Sequence, residues 1–199
     1  MLEFRRRRFA AVLAALALPL CTGGQPARAE GAADPVRVTE TAMRLFNQGC
    51  IRNLRQEAGL KEVLQAAGLR AAPADQSTPH LGGRPGTLFV SNDQQLPVAV
   101  IVRPAAAQCE VRAPTTDIAV AEKEFRGMVE GLQSVTLMVR RDSEEHSSTG
   151  GRPGITLVYS VGAPPLEEGG ARFAMQARQP LAGGIALSMT ASGQPLDVR

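Results

Sequence analysis

Six residues of this chain have the types and spacing to do chemistry: Cys50 and Cys109, His80 and His146, and Arg84 and Arg152. Cys50 and Cys109 form an even pair downstream of a candidate export signal, and in an oxidising compartment such a pair reads as one disulfide. Two buried free thiols are the competing reading. Zinc would need a third and a fourth ligand at its customary spacing, and a redox-active pair would need C-x-x-C; the chain has neither. His80 lies in a Pro/Gly-rich stretch and His146 follows Glu144-Glu145, so both read as solvated loop residues. Glu145-His146 lacks the second ligand pair of an H-E-x-x-H site, and Ser147 and Ser148 are neighbours in sequence without a G-x-S-x-G elbow. No catalytic set, metal site or cofactor site is expected. Arg84 and Arg152 occupy two copies of Gly-Gly-Arg-Pro-Gly. If the two turns lie together, the guanidinium groups could clamp an anion bidentately; otherwise they are ordinary surface cations in an Arg-rich chain.

These residues are placed by elements that the periodicity outlines. Residues 30–38 read as a flexible leader. From Thr39, Ala42, Met43, Leu45, Phe46, Cys50 and Leu54 recur at helical steps and turn Cys50 inward with Phe46. A second helix over Leu60–Ala67 ends at Gly68, and residues 70–86 read as a loop. The period then changes to two. Strands are expected at Thr87–Ser91, Val98–Arg103 and Gln108–Arg112, and the nearly continuous Val98–Val102 run suits a strand covered on both faces. Thr116 reads as the N-cap of an amphipathic helix carrying Ile118, Ala121, Phe125, Val129 and Leu132. Its carboxylates Glu122, Glu124 and Glu130 could serve an enzyme, but the pattern places them on the solvated face. Further strands are expected at Val135–Arg140, Ile155–Val161, Ala171–Arg178 and Gly184–Ala191, with Arg140-Arg141 as an edge guard. The expected fold is α+β: N-terminal helices and an antiparallel sheet of about six to seven strands with a central helix, one domain over 39–199. The pentapeptide at Gly82–Gly86 precedes Thr87-Leu88-Phe89-Val90-Ser91, and that at Gly150–Gly154 leads into Thr156-Leu157-Val158-Tyr159-Ser160. The echo reads either as coincident turn chemistry or as duplication of a helix-plus-strands unit, with an extra strand in the second copy.

Composition depends on the first 29 residues. The whole chain has 22 basic and 19 acidic residues and a net charge of +3. Arg5 to Arg8, the apolar run Phe9–Leu20 and Ala27-Arg28-Ala29 have the layout of a secretory signal, with cleavage expected after Ala29. The five Arg and one Glu of that segment, taken from 22 and 19, leave 17 basic and 18 acidic residues and a net charge of −1. A near-neutral chain without Trp and with one Tyr does not suit a nucleic-acid partner. The apolar run is too short for a stable span, so no transmembrane segment is expected after cleavage. Arg6-Arg7-Arg8-Phe9 also offers a twin-arginine reading. Cys21 offers lipidation, although Leu18-Pro19-Leu20 departs from a lipobox.

Leu45-Phe46-Asn47-Gln48-Gly49-Cys50, Gly83-Arg84-Pro85-Gly86, Cys109-Glu110-Val111 and the helix bearing Phe125 resemble an uncharacterised family of exported proteins and lipoproteins of Gram-negative bacteria. The resemblance spans about residues 39–191, and its most distinctive parts are F-x-x-x-C and C-x-V. It implies a periplasmic or secreted location and pairing of the two cysteines, and it implies no activity. The expected function is therefore non-enzymatic, binding or envelope-associated, toward an envelope protein or a small ligand. A periplasmic enzyme with an unrecognised site and a lipid-anchored envelope component are the alternatives.

Overall fold

The computed structural model describes residues 32–193, apart from 55, 165, 167–169 and 181–183. Cys21 and the expected cleavage site at Ala29 lie outside the described residues. Helix α1 spans Pro35–Leu45 and continues as a π-helical segment, Phe46–Ile51; α2 is Glu57–Ala66, α3 Ala74–Leu81 and α4 Ile118–Glu130. The strands are β1 (Leu69–Ala71), β2 (Thr87–Ser91), β3 (Ala99–Arg103), β4 (Gln108–Ala113), β5 (Met138–Thr149), β6 (Arg152–Gly162), β7 (Ala171–Arg178) and β8 (Leu187–Gly193). They form one antiparallel sheet in the order β1-β2-β3-β4-β8-β7-β6-β5. The fold is α+β with eight strands, slightly more than expected.

The chain begins its helix earlier than the periodicity places it. Asp34 caps α1 through a hydrogen bond from the Val36 amide, Pro35 supplies the first-turn φ, and Val38 is buried. Residues 35–38 are thus helix, not leader: the Asp-Pro start signal precedes the first run of clustered apolar residues. The segment read as a loop over 70–86 holds β1 and α3, with Pro79 inside the helix. Short elements rich in Pro and Ala leave too few turns for a hydrophobic period to register. At α4 the cap is Asp117, whose carboxylate accepts from the Val120 amide, while Thr116 hydrogen-bonds Thr39 at 2.9 Å across the α1–α4 contact.

The echo between the two pentapeptides has a structural counterpart. Each half of the chain is a helix followed by a four-stranded meander, and the two meanders meet at β4–β8. Both pentapeptides lead into the second strand of their meander, and Gly82, Gly83, Gly150 and Gly151 all have φ between 58° and 75°. That left-handed conformation is open to glycine without the steric cost of a Cβ. Between β5 and β6, Gly150-Gly151 makes a two-residue hairpin of the kind that requires positive φ at both positions. After α3 the pair ends a helix. Because β1 lies in the segment expected to be a loop, the extra strand expected of the second copy disappears.

Helices α1 and α4 pack on each other and lie on one face of the sheet. Counting from each cap aspartate, positions four, eight and twelve are buried: Val38, Ala42 and Phe46 on one side, Ala121, Phe125 and Val129 on the other. Phe46 meets Phe125 and Phe173 with ring centroids 6.0 and 6.2 Å apart, and Phe125 meets Tyr159 at 6.1 Å. The opposite face is mostly polar, but near β2 and β3 it buries Leu88 and Ile101, and α3 packs on β2. Strand β3 is therefore covered on both faces, as its continuous apolar run implies.

Cys50 and Cys109 are bonded, and neither is exposed. The bridge ties the π-helical segment to β4, next to the β4–β8 seam. It links residues separated by 59 positions, a loop for which chain entropy gives roughly 4 kcal/mol. The Cys50→Ala, Cys109→Ala double variant is expected to lose about 2–4 kcal/mol of unfolding free energy in urea while keeping its far-ultraviolet circular dichroism. A loss below about 0.5 kcal/mol would contradict this role for the bridge.

Candidate functional site

The structure separates some of the residues singled out in the sequence and joins others. Arg84 is exposed in the turn before β2, and Arg152 is exposed at the start of β6. β2 and β6 are five strands apart, about 24 Å at the usual spacing. They run in opposite directions, and Thr87 lies in one cross-strand row with Tyr159, seven residues beyond Arg152. The two guanidinium groups lie at opposite ends of the sheet and cannot clamp one anion. His80 is exposed near the end of α3. His146 is not a loop residue: β5 runs on past Arg140 to Thr149, and His146 pairs with Ile155. Charged and hydroxyl residues on an edge strand hide the two-residue alternation that would announce it. Arg140 and Arg141 are exposed on that edge, beside a bulge between Arg141 and Ser143, which suits the guard role read for them.

A charged cluster joins α4 to β5. Glu122 and Arg126 are one helical turn apart, and the guanidinium donates to Glu122 Oε1 from Nε at 3.1 Å and from Nη2 at 2.9 Å. Nη2 also meets Glu144 Oε1 on β5 at 2.7 Å. Arg141 donates to Glu144 Oε2 at 2.6 Å, and His146 Nε2 lies 3.1 Å from Oε1. Tyr159 donates to Glu130 at 2.9 Å, with Arg126 Nη1 3.5 Å from the phenol oxygen. Glu124 and Glu130 are exposed, as the pattern implies, and Glu122 is partly buried; Glu122 and Glu130 are nevertheless tied to the sheet, through Arg126 and Tyr159. No signal in the helix alone reveals this, because their partners come from β5 and β6.

Glu122, Glu144 and His146 have ligand atoms within 4.8 Å of one another, close enough for a metal ion. Arg126 already supplies the cation there. Its hydrogen bond to Glu144 holds its own ionisation well above the ordinary range, against the opposing effect of burial. Burial, followed by the hydrogen bond to Glu130, pushes the Tyr159 hydroxyl up. Among the described residues each of these carboxylates and the phenol has a hydrogen-bond or ion-pair partner, the arrangement of an ion network that ties α4 to β5 and β6.

A cleft offers different chemistry. It has a volume of about 710 Å³, with Leu45, Val63, Leu69, Leu96 and Val98 as its apolar lining and Arg44, Gln48, Asn92 and Asp93 among its polar lining. It lies between α1 with its π-helical extension, α2 and the β2–β3 connection. That volume and mixture suit a small molecule or a short peptide side. The chain matches no protein-family model, and no curated protein matches it.

The network makes a pH prediction. The Glu144 carboxyl is held down to about 2, first by the Arg126 hydrogen bond and next by that from His146. A folded value below the ordinary 4.5 means that the contribution to stability is complete above pH 4.5 and is lost as pH falls toward 2. Unfolding free energy is expected to fall less steeply over that interval in Glu144→Gln than in the wild type. Identical slopes in chemical denaturation would show that the network does not couple to folding.

Proposed function

We propose that this chain is an exported protein of the Gram-negative envelope, periplasmic or secreted, that acts by binding and carries no catalysis of its own. The fully buried Cys50–Cys109 bridge is the observation that carries this reading, because such a bond persists in an oxidising compartment. The signal layout over residues 1–29 and the resemblance to exported proteins agree with it. Among the described residues no helix is long and apolar enough to cross a membrane. The cleft beside α1 is the proposed binding site. Its apolar lining would hold the body of a ligand, and Arg44, Gln48, Asn92 and Asp93 would orient it.

Location and binding are tested separately. After expression of the full chain in a Gram-negative host, intact mass should give Glu30 as the N-terminus and two mass units fewer than the reduced chain. Retention of residues 1–29 in the cytoplasm would refute export, and an acylated Cys21 would establish the anchored form instead. An anilinonaphthalene sulfonate dye should bind saturably to the native protein and several-fold more weakly to Leu96→Asp. Equal binding by both proteins would remove the cleft as the site.

A further inference from the structure

The cleft beside α1 has a floor that stops at an unpaired strand edge. Leu69, Ser91 and Val98 line it and form one cross-strand row: Leu69 pairs with Ser91, whose amide donates to the Val98 carbonyl at 3.0 Å. Strand β1 is the outermost of the sheet on this side. The Ala72 amide donates to the Leu88 carbonyl at 2.8 Å, and bonded and non-bonded pairs alternate along an antiparallel ladder. Arg70 therefore bonds toward β2, whereas the amides and carbonyls of Leu69 and Ala71 point away from it. Among the described residues those outward groups have no backbone partner. Arg70 and Ala71 are exposed, and a Cβ at Gly68, just before the strand, would meet nothing within 4 Å. The edge is open to a further chain.

A strand added outside β1 would lie about 4.8 Å from it, and its residue opposite Leu69 would continue the row that floors the cleft. The residue opposite Arg70 would share the other face with that guanidinium. Neither Arg70 nor Arg44, which lines the cleft, has an ion-pair partner among the described residues. Asp93, the acidic residue of the lining, accepts from the Gln95 amide at 2.8 Å. The charge left over at this edge is positive. Opposite charges facing each other across a strand pair attract and like charges repel. Antiparallel pairing of two copies about Arg70 would set one guanidinium against the other, so the charge selects an acidic segment over a second copy of this chain.

We propose that β1 accepts an extended segment of a partner protein as an added strand, with a large apolar residue opposite Leu69 entering the cleft and an acidic residue opposite Arg70. The inference rests on the cleft as the binding site and specifies the class of its ligand. Main-chain hydrogen bonds to Leu69 and Ala71 would supply affinity, and the cleft and Arg70 would supply selectivity.

Fluorescence anisotropy with the exported, oxidised protein tests this. The probes are capped heptapeptides Ser-Thr-X-Glu-X-Thr-Ser, with X as Leu, Phe or Val, whose symmetric centre reads alike in both directions along β1. At least one should bind saturably, and methylation of its three central amides should abolish binding, because the amides that would face β1 are among them. Ala71→Pro removes an outward donor at a position where an edge strand tolerates proline. It should weaken the peptide tenfold or more, with dye binding and far-ultraviolet circular dichroism as in the wild type. Exchange of the probe's Glu for Lys should weaken binding several-fold, and Arg70→Glu should reverse that preference, which keeps the test decisive if the proline variant does not fold. Dye binding that is lost in Leu96→Asp, together with no saturable binding of any probe or equal binding of the methylated ones, would overturn strand addition and leave the cleft standing. Equal dye binding by Leu96→Asp would remove the cleft and this inference with it. A wild-type dimer that Ala71→Pro dissociates in sedimentation would assign the edge to a second copy and likewise overturn the proposal.

Discussion

The Cys50–Cys109 bond governs the rest of the structure because of where it lies. Cys109 is on β4, the last strand of the first meander, and pairs across the seam with Ala191 of β8, the last strand of the second. Cys50 is in the π-helical continuation of α1, four residues from Phe46, whose ring touches Phe125 of α4 and Phe173 of β7. One covalent link thus pins the helical layer at the line where the two halves of the sheet join. From there the aromatic contacts spread into the second half. The constraint acts most strongly on the unfolded chain, since it closes a long loop before any packing is recovered.

Elements with strong, uninterrupted periodicity were legible from the sequence. The Thr87–Ser91 and Ala171–Arg178 strands, the β4 strand through Arg112 and the inward face of α1 with Phe46 and Cys50 all stand where alternation or helical spacing puts them. Gly68 has the positive φ expected of a residue just past a helix end. Where the pattern fails, the cause is physical in each case. β1 has three residues and α3 eight, with a proline inside, so neither repeats a period often enough to show. β5 is an edge strand whose charged and hydroxyl side chains suppress alternation. The contacts of Arg126 with Glu144 and Tyr159 depend on β5 and β6, which no local spacing in α4 encodes.

The two halves share a topology yet hold their helix to the sheet by different means. In the first, α1 is secured by the disulfide and by apolar packing, and α3 has been added over the outer face between the first and second strands. In the second, a two-residue hairpin stands in place of α3, and α4 is held at its outward side by Arg126 between Glu122 and Glu144. A surface network of this kind contributes less per pair than burial does, because water screens it and ordering long side chains costs entropy. Its members share one arginine, however, so the ordering of Arg126 serves Glu122, Glu144 and Tyr159 together.

That difference bears on where function can reside. The second half ties Glu122, Arg126, Glu130 and Glu144 to one another or to Tyr159 at the margin of α4, and its edge strand is guarded by Arg140, Arg141 and a bulge. Such a surface resists pairing with other chains and leaves little binding capacity unspent. The first half has the cleft beside α1 and the buried Arg103, whose Nε and Nη1 have no hydrogen-bond partner among the described residues. Both fall in the half that also carries the Cys50–Cys109 bond, on one side of the β4–β8 seam.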